Sequence, residues 1–265
     1  MICKTHDNLD LYYEIQGNLQ ASETLVFLNG LTQSTLSWYF VQQHFKDKYK
    51  IVLLDFIFQG QSSKEGEWRN FDQHAKDVKA VLDKENIKDP VVIGLSYGSA
   101  VAQHFAVLFP RSLKKLILVA TFGHSTPYFE AFGLSWARAL ETGGYNLMLD
   151  VMLPNVLSES YFNNPIIPID IMKEARKGLN DNTGALMKLM TATKERKDYR
   201  PALKSITAST LIIHGEKDLL IPLHMANEVH LNITGSKIIV IKNAGHTLNL
   251  EAVQEVCDHI KTFLS

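Results

Sequence analysis

The stretch Val91-Val92-Ile93-Gly94-Leu95-Ser96-Tyr97-Gly98-Ser99-Ala100 decides how the rest of the chain is read. An apolar, β-branched run enters, a serine stands between two glycines, and a helical stretch leaves from Ser99 to Phe109, stopped by Pro110. So abrupt a strand-to-helix turn holds its central serine in a strained backbone conformation, with the hydroxyl clear of the sheet. The residues two positions either side must be small, because strand and helix pass close together there. Gly94 and Gly98 meet that need, and Ala100 helps further along. The Tyr97 N–H then stands at a helix N-terminus, where unpaired donors and the helix dipole favour an anion. One turn thus supplies a nucleophile and half of an oxyanion hole. A glycine-rich turn with a bystander serine would share this short pattern, so its context has to decide.

Working outward, short apolar runs alternate with helical patterns. Ile2 to Thr5 and Leu9 to Gln16 read as two strands joined by the polar turn His6-Asp7-Asn8, and Thr24 to Leu28 as a buried strand ending in Asn29-Gly30. Ser34 to Phe45 has mixed helical character. Ile51 to Leu54 is a buried strand ending at Asp55, and Asp72 to Asn86 is an amphipathic helix with Ala75, Val78, Val81 and Leu82 inward. After the serine turn come a strand at Leu116 to Val119, another at Thr210 to Ile213, a helix at Pro222 to His230, a last strand at Lys237 to Ile241 and a last helix at Glu251 to Leu264. Such alternation predicts an α/β fold: a mostly parallel sheet of about eight strands with helices on both faces. Between about Phe122 and Ala202 the alternation breaks. That stretch is helical in pattern, carries the breakers Gly143-Gly144, Pro154, Pro165 and Pro168, and contains no convincing strand. It reads as a helical cap (122–202) inserted into a core made of 1–121 and 203–265. The charged run Lys194 to Asp198 reads as a solvated face at the end of that cap.

Bulk properties narrow the function. A length of 265 residues fits one large α/β domain with an insertion, and a formal net charge of −1 gives no electrostatic case for nucleic acid or an anionic membrane. No apolar run approaches the length of a membrane span, and the first residues lack an apolar signal-peptide core. The two cysteines, Cys3 and Cys257, stand near opposite ends with no metal-ligand spacing, so two unpaired thiols and a reducing, cytoplasmic setting are expected. No histidine or cysteine pair has zinc-site spacing, and no cofactor is expected.

A serine hydroxyl needs a base to take its proton, and the base needs a third group to hold its tautomer. In open α/β sheets these groups gather beyond the carboxyl ends of the strands. Two downstream loops qualify: His214-Gly215-Glu216-Lys217-Asp218 after one strand, and Asn243-Ala244-Gly245-His246-Thr247 after the next. Asp218 and His246 are the expected acid and base, with Glu216 the rival acid and His214 a structural histidine. His104, His224 and His259 fall on helices, where packing or surface roles are expected. The second oxyanion donor should follow the first parallel strand, at Leu28-Asn29-Gly30-Leu31, with the Leu31 N–H the candidate and Gly30 letting the chain fold back toward Ser96. Asn29 either touches substrate or braces the turn through its side chain.

Strand-Asn-Gly, Gly-Leu-Ser-Tyr-Gly, His-Gly-Glu-Lys-Asp and Asn-Ala-Gly-His, in this order over nearly the whole chain, resemble the α/β-hydrolase superfamily. The resemblance implies the α/β-hydrolase fold with Ser96 as nucleophile, His246 as base and acid, Asp218 as orienting carboxylate, and Leu31 and Tyr97 as oxyanion donors. Two positions depart from the family's usual pattern. Asn29 stands where a histidine is common, and Asp55-Phe56-Ile57-Phe58-Gln59-Gly60-Gln61-Ser62 lacks the usual arginine and first glycine. Both departures are similar to bacterial acyltransferases that use 3-hydroxyacyl chains on acyl carrier protein, a local resemblance of about 20 residues. The expected function is hydrolysis of a carboxylic ester or thioester with an apolar acyl group, the cap's large apolar residues providing part of the pocket. Acyl transfer (with acyl carrier protein a candidate partner), a ligand receptor on a hydrolase scaffold and a cofactor-free lyase remain open.

Overall fold

The computed structural model describes residues 1–265. Its centre is an eight-stranded sheet in the order β1-β2-β4-β3-β5-β6-β7-β8. The strands are β1 (Ile2–Lys4), β2 (Asp10–Gly17), β3 (Thr24–Leu28), β4 (Lys50–Leu54), β5 (Val91–Leu95), β6 (Lys115–Val119), β7 (Ser209–Gly215) and β8 (Lys237–Ile241). β1 and β2 pair antiparallel with each other, and β2 with β4; every later pairing is parallel. The fold is therefore the mostly parallel α/β sheet that the alternation predicts.

Both faces are covered, which is why the central strands are apolar throughout. Along β3, Val26 and Leu28 join the core on one face while Leu25 and Phe27 join the core on the other. The helices covering the core are α1 (Tyr39–Gln43, entered through a 3₁₀ turn at Thr35–Trp38), α2 (Phe71–Lys84) and α3 (Tyr97–Leu108). Helix α2 starts at a capping box: the Asn70 side chain accepts from the Gln73 N–H while the Gln73 side chain accepts from the Asn70 N–H, both at 2.9 Å. Its predicted inward face, Ala75, Val78, Val81 and Leu82, is buried.

Between β6 and β7 the chain forms only helices: α4 (Pro127–Val156), α5 (Glu159–Asn163), α6 (Ile169–Arg176), α7 (Thr183–Lys194) and α8 (Arg200–Leu203). α4 is two helices joined at a kink at Gly144, whose φ of 69° suits glycine. The C-terminal part adds α9 (Leu223–Asn232), α10 (Leu248–Glu251) and α11 (Val253–Leu264). Both cysteines are buried and unpaired, and no helix is long and apolar enough to cross a membrane.

The run Lys194 to Asp198 is not uniformly a solvated face. Arg196 is buried. Its guanidinium donates to Phe122 O at 3.0 Å and Gln103 Oε1 at 2.7 Å. It lies 5.1 to 5.2 Å from the ring centroids of Phe71, Phe122 and Tyr199. A weakly hydrated, planar cation can be taken out of water when aromatic faces and two acceptors surround it. Phe71, Gln103 and Phe122 come from distant segments, so the local pattern of charges carries no sign of them.

Candidate active site

The turn after β5 is as tight as its glycines imply. Ser96 caps α3 with φ 54° and ψ −111°, a conformation costly for a residue with a Cβ. A Cβ on Gly94 would stand 2.3 Å from Gly98 O, and one on Gly98 would stand 2.2 Å from Leu28 O. Glycine at both positions is thus what lets α3 approach β3 and β5. Behind the turn, Ser99 Oγ donates to Ser96 O at 2.6 Å and bonds Thr121 Oγ1 at 3.0 Å. Gln103 donates to Thr121 Oγ1 and Phe122 O, and Arg196 closes the far end of this chain. Pattern reading missed this support, because a buried Gln or Arg announces itself only through its partners.

The loops after β7 and β8 meet beside that turn. His246 Nδ1 lies 2.7 Å from Asp218 Oδ2, and Asp218 Oδ1 accepts from the Ile221 N–H at 2.8 Å. A carboxylate only accepts, so Nδ1 carries a proton and donates it to Asp218, which leaves Nε2 free for other contacts. Both side chains are nearly sealed from solvent. The rival Glu216 is exposed, accepts from the Asn243 N–H at 3.3 Å and pairs with Lys217, away from His246. His214 is fully buried and donates from Nε2 to Ile221 O at 2.8 Å, a structural tie; burial lowers its pKa. His104 is buried, bonds Asp72 through Nδ1 at 2.6 Å and stacks on Tyr199, while His224 is exposed and His259 half-buried.

Two features hold the His246 loop that the sequence did not single out. Glu251 accepts from the N–H groups of Gly245 and Thr247, and also from that of Ser158 between α4 and α5. Val156 O, at the end of α4, accepts from the His246 and Thr247 N–H groups at 3.0 and 3.2 Å. The histidine loop is therefore tied to the helices between β6 and β7 as well as to the segment that carries Glu251.

The turn after β3 is braced from beneath. Asn29 is fully buried. Its Nδ2 donates to Leu54 O at 2.8 Å and Asp55 Oδ1 at 3.2 Å, and its Oδ1 accepts from Trp38 Nε1 at 2.9 Å. Of its two expected roles, Asn29 takes the bracing one; with its polar atoms used inside the core, it does not line the cavity. Gln59 donates to Gly30 O at 2.8 Å and Leu31 O at 3.0 Å, and Asp55 accepts from the Thr35 and Gln61 N–H groups at 2.8 Å each. Burial raises the Asp55 pKa, and these backbone donors oppose that shift. The residues of the unusual Asn-Gly and Asp-to-Ser blocks thus fix the path of Gly30 and Leu31. Neither the Leu31 nor the Tyr97 N–H donates within the protein.

Gly30, Leu31, Ser96, Tyr97 and His246 all border one cavity of about 640 Å³, which Phe129, Trp136, Met187 and Met190 also line. No direct hydrogen bond joins Ser96 Oγ to His246. The structure contains no cluster of metal-ligating side chains.

Compared with known proteins, residues 23–253 match the family described by its alpha/beta hydrolase fold. The chain belongs to the α/β-hydrolase family. This α/β hydrolase is 25% identical to the uncharacterized hydrolase YugF of Bacillus subtilis over 98% of its own length and 96% of the relative's. It is 24% identical to the 2-hydroxy-6-oxononadienedioate/2-hydroxy-6-oxononatrienedioate hydrolase of Escherichia coli K12, covering 93% of this chain and 88% of that one. Among solved structures it is similar to MGS-M2, an alpha/beta hydrolase enzyme from a Medee basin deep-sea metagenome library, with a TM-score of 0.90, 25% identity and coverage of 100% and 97%. A thermophilic esterase from Thermogutta terrifontis shares the fold with a TM-score of 0.88 at 22% identity, covering 100% of this chain and 97% of that one. The relatives named include hydrolases and an esterase.

Proposed function

We propose that this α/β hydrolase cleaves a carboxylic ester or thioester with an apolar acyl group through an acyl-enzyme on Ser96. The observation that carries this reading is the Asp218–His246 hydrogen bond of 2.7 Å at the edge of the cavity that Ser96 also borders. Nε2 of His246 takes the Ser96 proton as Oγ attacks the carbonyl carbon, and the developing oxyanion accepts from the Leu31 and Tyr97 N–H groups. The histidine returns its proton to the leaving alcohol or thiol, and water activated by the same nitrogen then frees the acid. A nucleophile–base contact is often long without substrate and tightens in the complex, so the absence of a Ser96–His246 bond fits this cycle. Asp218 is the orienting acid in this reading, because Glu216 faces solvent. Residues 122–202 act as a cap on the core formed by 1–121 and 203–265, since Phe129, Trp136, Met187 and Met190 roof the site.

The local likeness to 3-hydroxyacyl acyltransferases gives no independent support for acyl transfer, because Asn29 and Gln59 are accounted for by bracing the turn. The test is hydrolysis of a p-nitrophenyl ester series of rising acyl length, with acyl-thioester substrates alongside and product analysis with and without an added alcohol. Ser96→Ala should lose about 10⁴ to 10⁶ in kcat. Activity within tenfold of wild type in that variant would defeat the assignment.

A further inference from the structure

Arg176, the last residue of α6, has no role in the cycle described above. It lines the main cavity, and it also lines a side pocket of about 110 Å³. Gln33, Met172 and Thr247 border both spaces with it. Gln33 lies two residues after Leu31, and Thr247 directly follows His246. Polar side chains thus accompany Arg176 where the two spaces meet, whereas Phe122, Phe129, Trp136 and Met190 give the main cavity apolar lining.

Among the six arginines, this one is singular. Arg69 and Arg200 pair with carboxylates, Arg196 is held by two acceptors and three rings, and Arg111 and Arg138 are exposed. Arg176 is half-buried where it lines the cavity; its guanidinium has the Tyr145 phenol as a polar neighbour and joins no ion pair. Its neighbours with any charge effect are the phenols Tyr145 and Tyr161, and no carboxylate acts on it. The Tyr145 hydroxyl is buried, and the Arg176 guanidinium is its polar neighbour, at less than good hydrogen-bond geometry. Tyr161, by contrast, is satisfied, bonding Ile167 through both its donor and its acceptor. A guanidinium kept in a largely apolar space without a counter-charge is costly to the fold, and a bidentate oxyanion is the partner its planar fork matches.

We propose that Arg176 is a specificity-determining residue that receives a carboxylate carried by the substrate, so that the preferred ester or thioester is an acidic one. This rests on the reading of Ser96 as the nucleophile. The carboxylate is the shared chemistry whether it belongs to the acyl half, as in a monoester of a short dicarboxylic acid, or to the alcohol half, as in an acylated hydroxy acid. The guanidinium binds the two oxygens, and the apolar wall takes the uncharged part of the molecule.

Binding and turnover test this separately. On Ser96→Ala protein, calorimetric titration compares monomethyl glutarate and 3-acetoxypropanoate with their neutral methyl esters. At least one acid should bind ten times or more tightly than its neutral counterpart, and which one identifies the half that carries the charge. Adding Arg176→Met should abolish that preference, and Arg176→Lys should restore part of it. On the Ser96 enzyme, the acid-to-neutral ratio of kcat/KM should fall at least tenfold in Arg176→Met. Equal binding of acid and neutral ester to Ser96→Ala protein needs no arginine variant to read, and it would mean that the cation is merely hydrated and the proposal wrong. No acid binding at millimolar concentration, or a preference that survives Arg176→Met, would overturn it as well. Turnover of esters without any acid preference would sink this inference and leave the esterase reading standing. Selective acid binding with no ester turnover would do the reverse.

Discussion

Replacing Gly98 by alanine tests the geometric basis of the site in one atom. The new Cβ would stand 2.2 Å from Leu28 O, 2.5 Å from the Leu28 carbonyl carbon and 2.7 Å from Asn29 O. All three are backbone atoms of the β3 end, so no side chain can swing away. Relief to an ordinary contact requires the start of α3 to retreat from β3 by about 1 Å, and forcing an extra methyl into a packed interior costs about 1–3 kcal/mol. For a domain of this size that lowers Tm by roughly 2–4 °C per kcal/mol. The same retreat carries Ser96 and the Tyr97 N–H away from Leu31, and a misplacement of about 1 Å in a reacting constellation can lower turnover about 10²-fold. Scanning calorimetry and steady-state ester hydrolysis on one preparation measure both effects. Gly184→Ala is the control, because its Cβ would meet only Asn182 Oδ1 at 3.6 Å. If Gly98→Ala kept Tm within 1–2 °C and kcat within about twofold, the close approach of α3 to β3 would not be what positions the serine.

Asp218→Asn should leave the fold intact and lower kcat by about 10⁴ by favouring the wrong histidine tautomer, whereas Glu216→Gln should change kcat little; the reverse ranking would make Glu216 the acid. His74 is fully buried against Phe56 and Tyr97 with neither ring nitrogen bonded, and burial pushes its pKa down from 6.5 to about 3. A histidine held neutral in the fold contributes stability above its unfolded pKa and loses it as pH falls toward the folded one, at up to ~1.4 kcal/mol per pH unit. Between pH 6.5 and 4.5, His74→Phe should therefore show a smaller fall in Tm than wild type, and parallel acid limbs would refute the linkage. Arg196→Met should cost about 1–3 kcal/mol in urea unfolding, because Gln103 Oε1 loses its buried donor and Phe122 O keeps only Gln103; a change under about 0.5 kcal/mol would show that water replaces the guanidinium freely. Met190→Trp, narrowing the cavity roof, should shift preference toward shorter acyl chains, and an unchanged chain-length profile would place the acyl group elsewhere.

The course of the core was legible in the residues because strands and turns are encoded over a few positions. β3 and β8 occupy the same residues, Thr24–Leu28 and Lys237–Ile241, that their apolar runs mark out. The paired glycines around Ser96 announce a turn that only glycine can close, and the observed φ of 54° at Ser96 is its consequence. Candidate acid, base and oxyanion donors could be named because in an open α/β sheet the functional loops follow strand ends, and strand ends are visible in the sequence.

Tertiary structure alone decided whatever depends on atoms brought together from far apart in the chain. Asp218 and Glu216 are two loop carboxylates separated by one residue, and only the packing of β7 beside β8 turns one toward His246 and leaves the other in solvent. Asn29 was open between substrate contact and bracing until Leu54, Asp55 and Trp38 occupied its polar atoms. Arg196 and Arg176 both stand among charged or polar sequence neighbours in the helical stretch between β6 and β7. One is enclosed by three rings and two acceptors, and the other lines the cavity without an ion pair. The physical reason is common to all of these. A backbone preference is a property of a few consecutive residues, whereas the environment of a buried polar group is a sum over neighbours that the chain supplies only once it has folded.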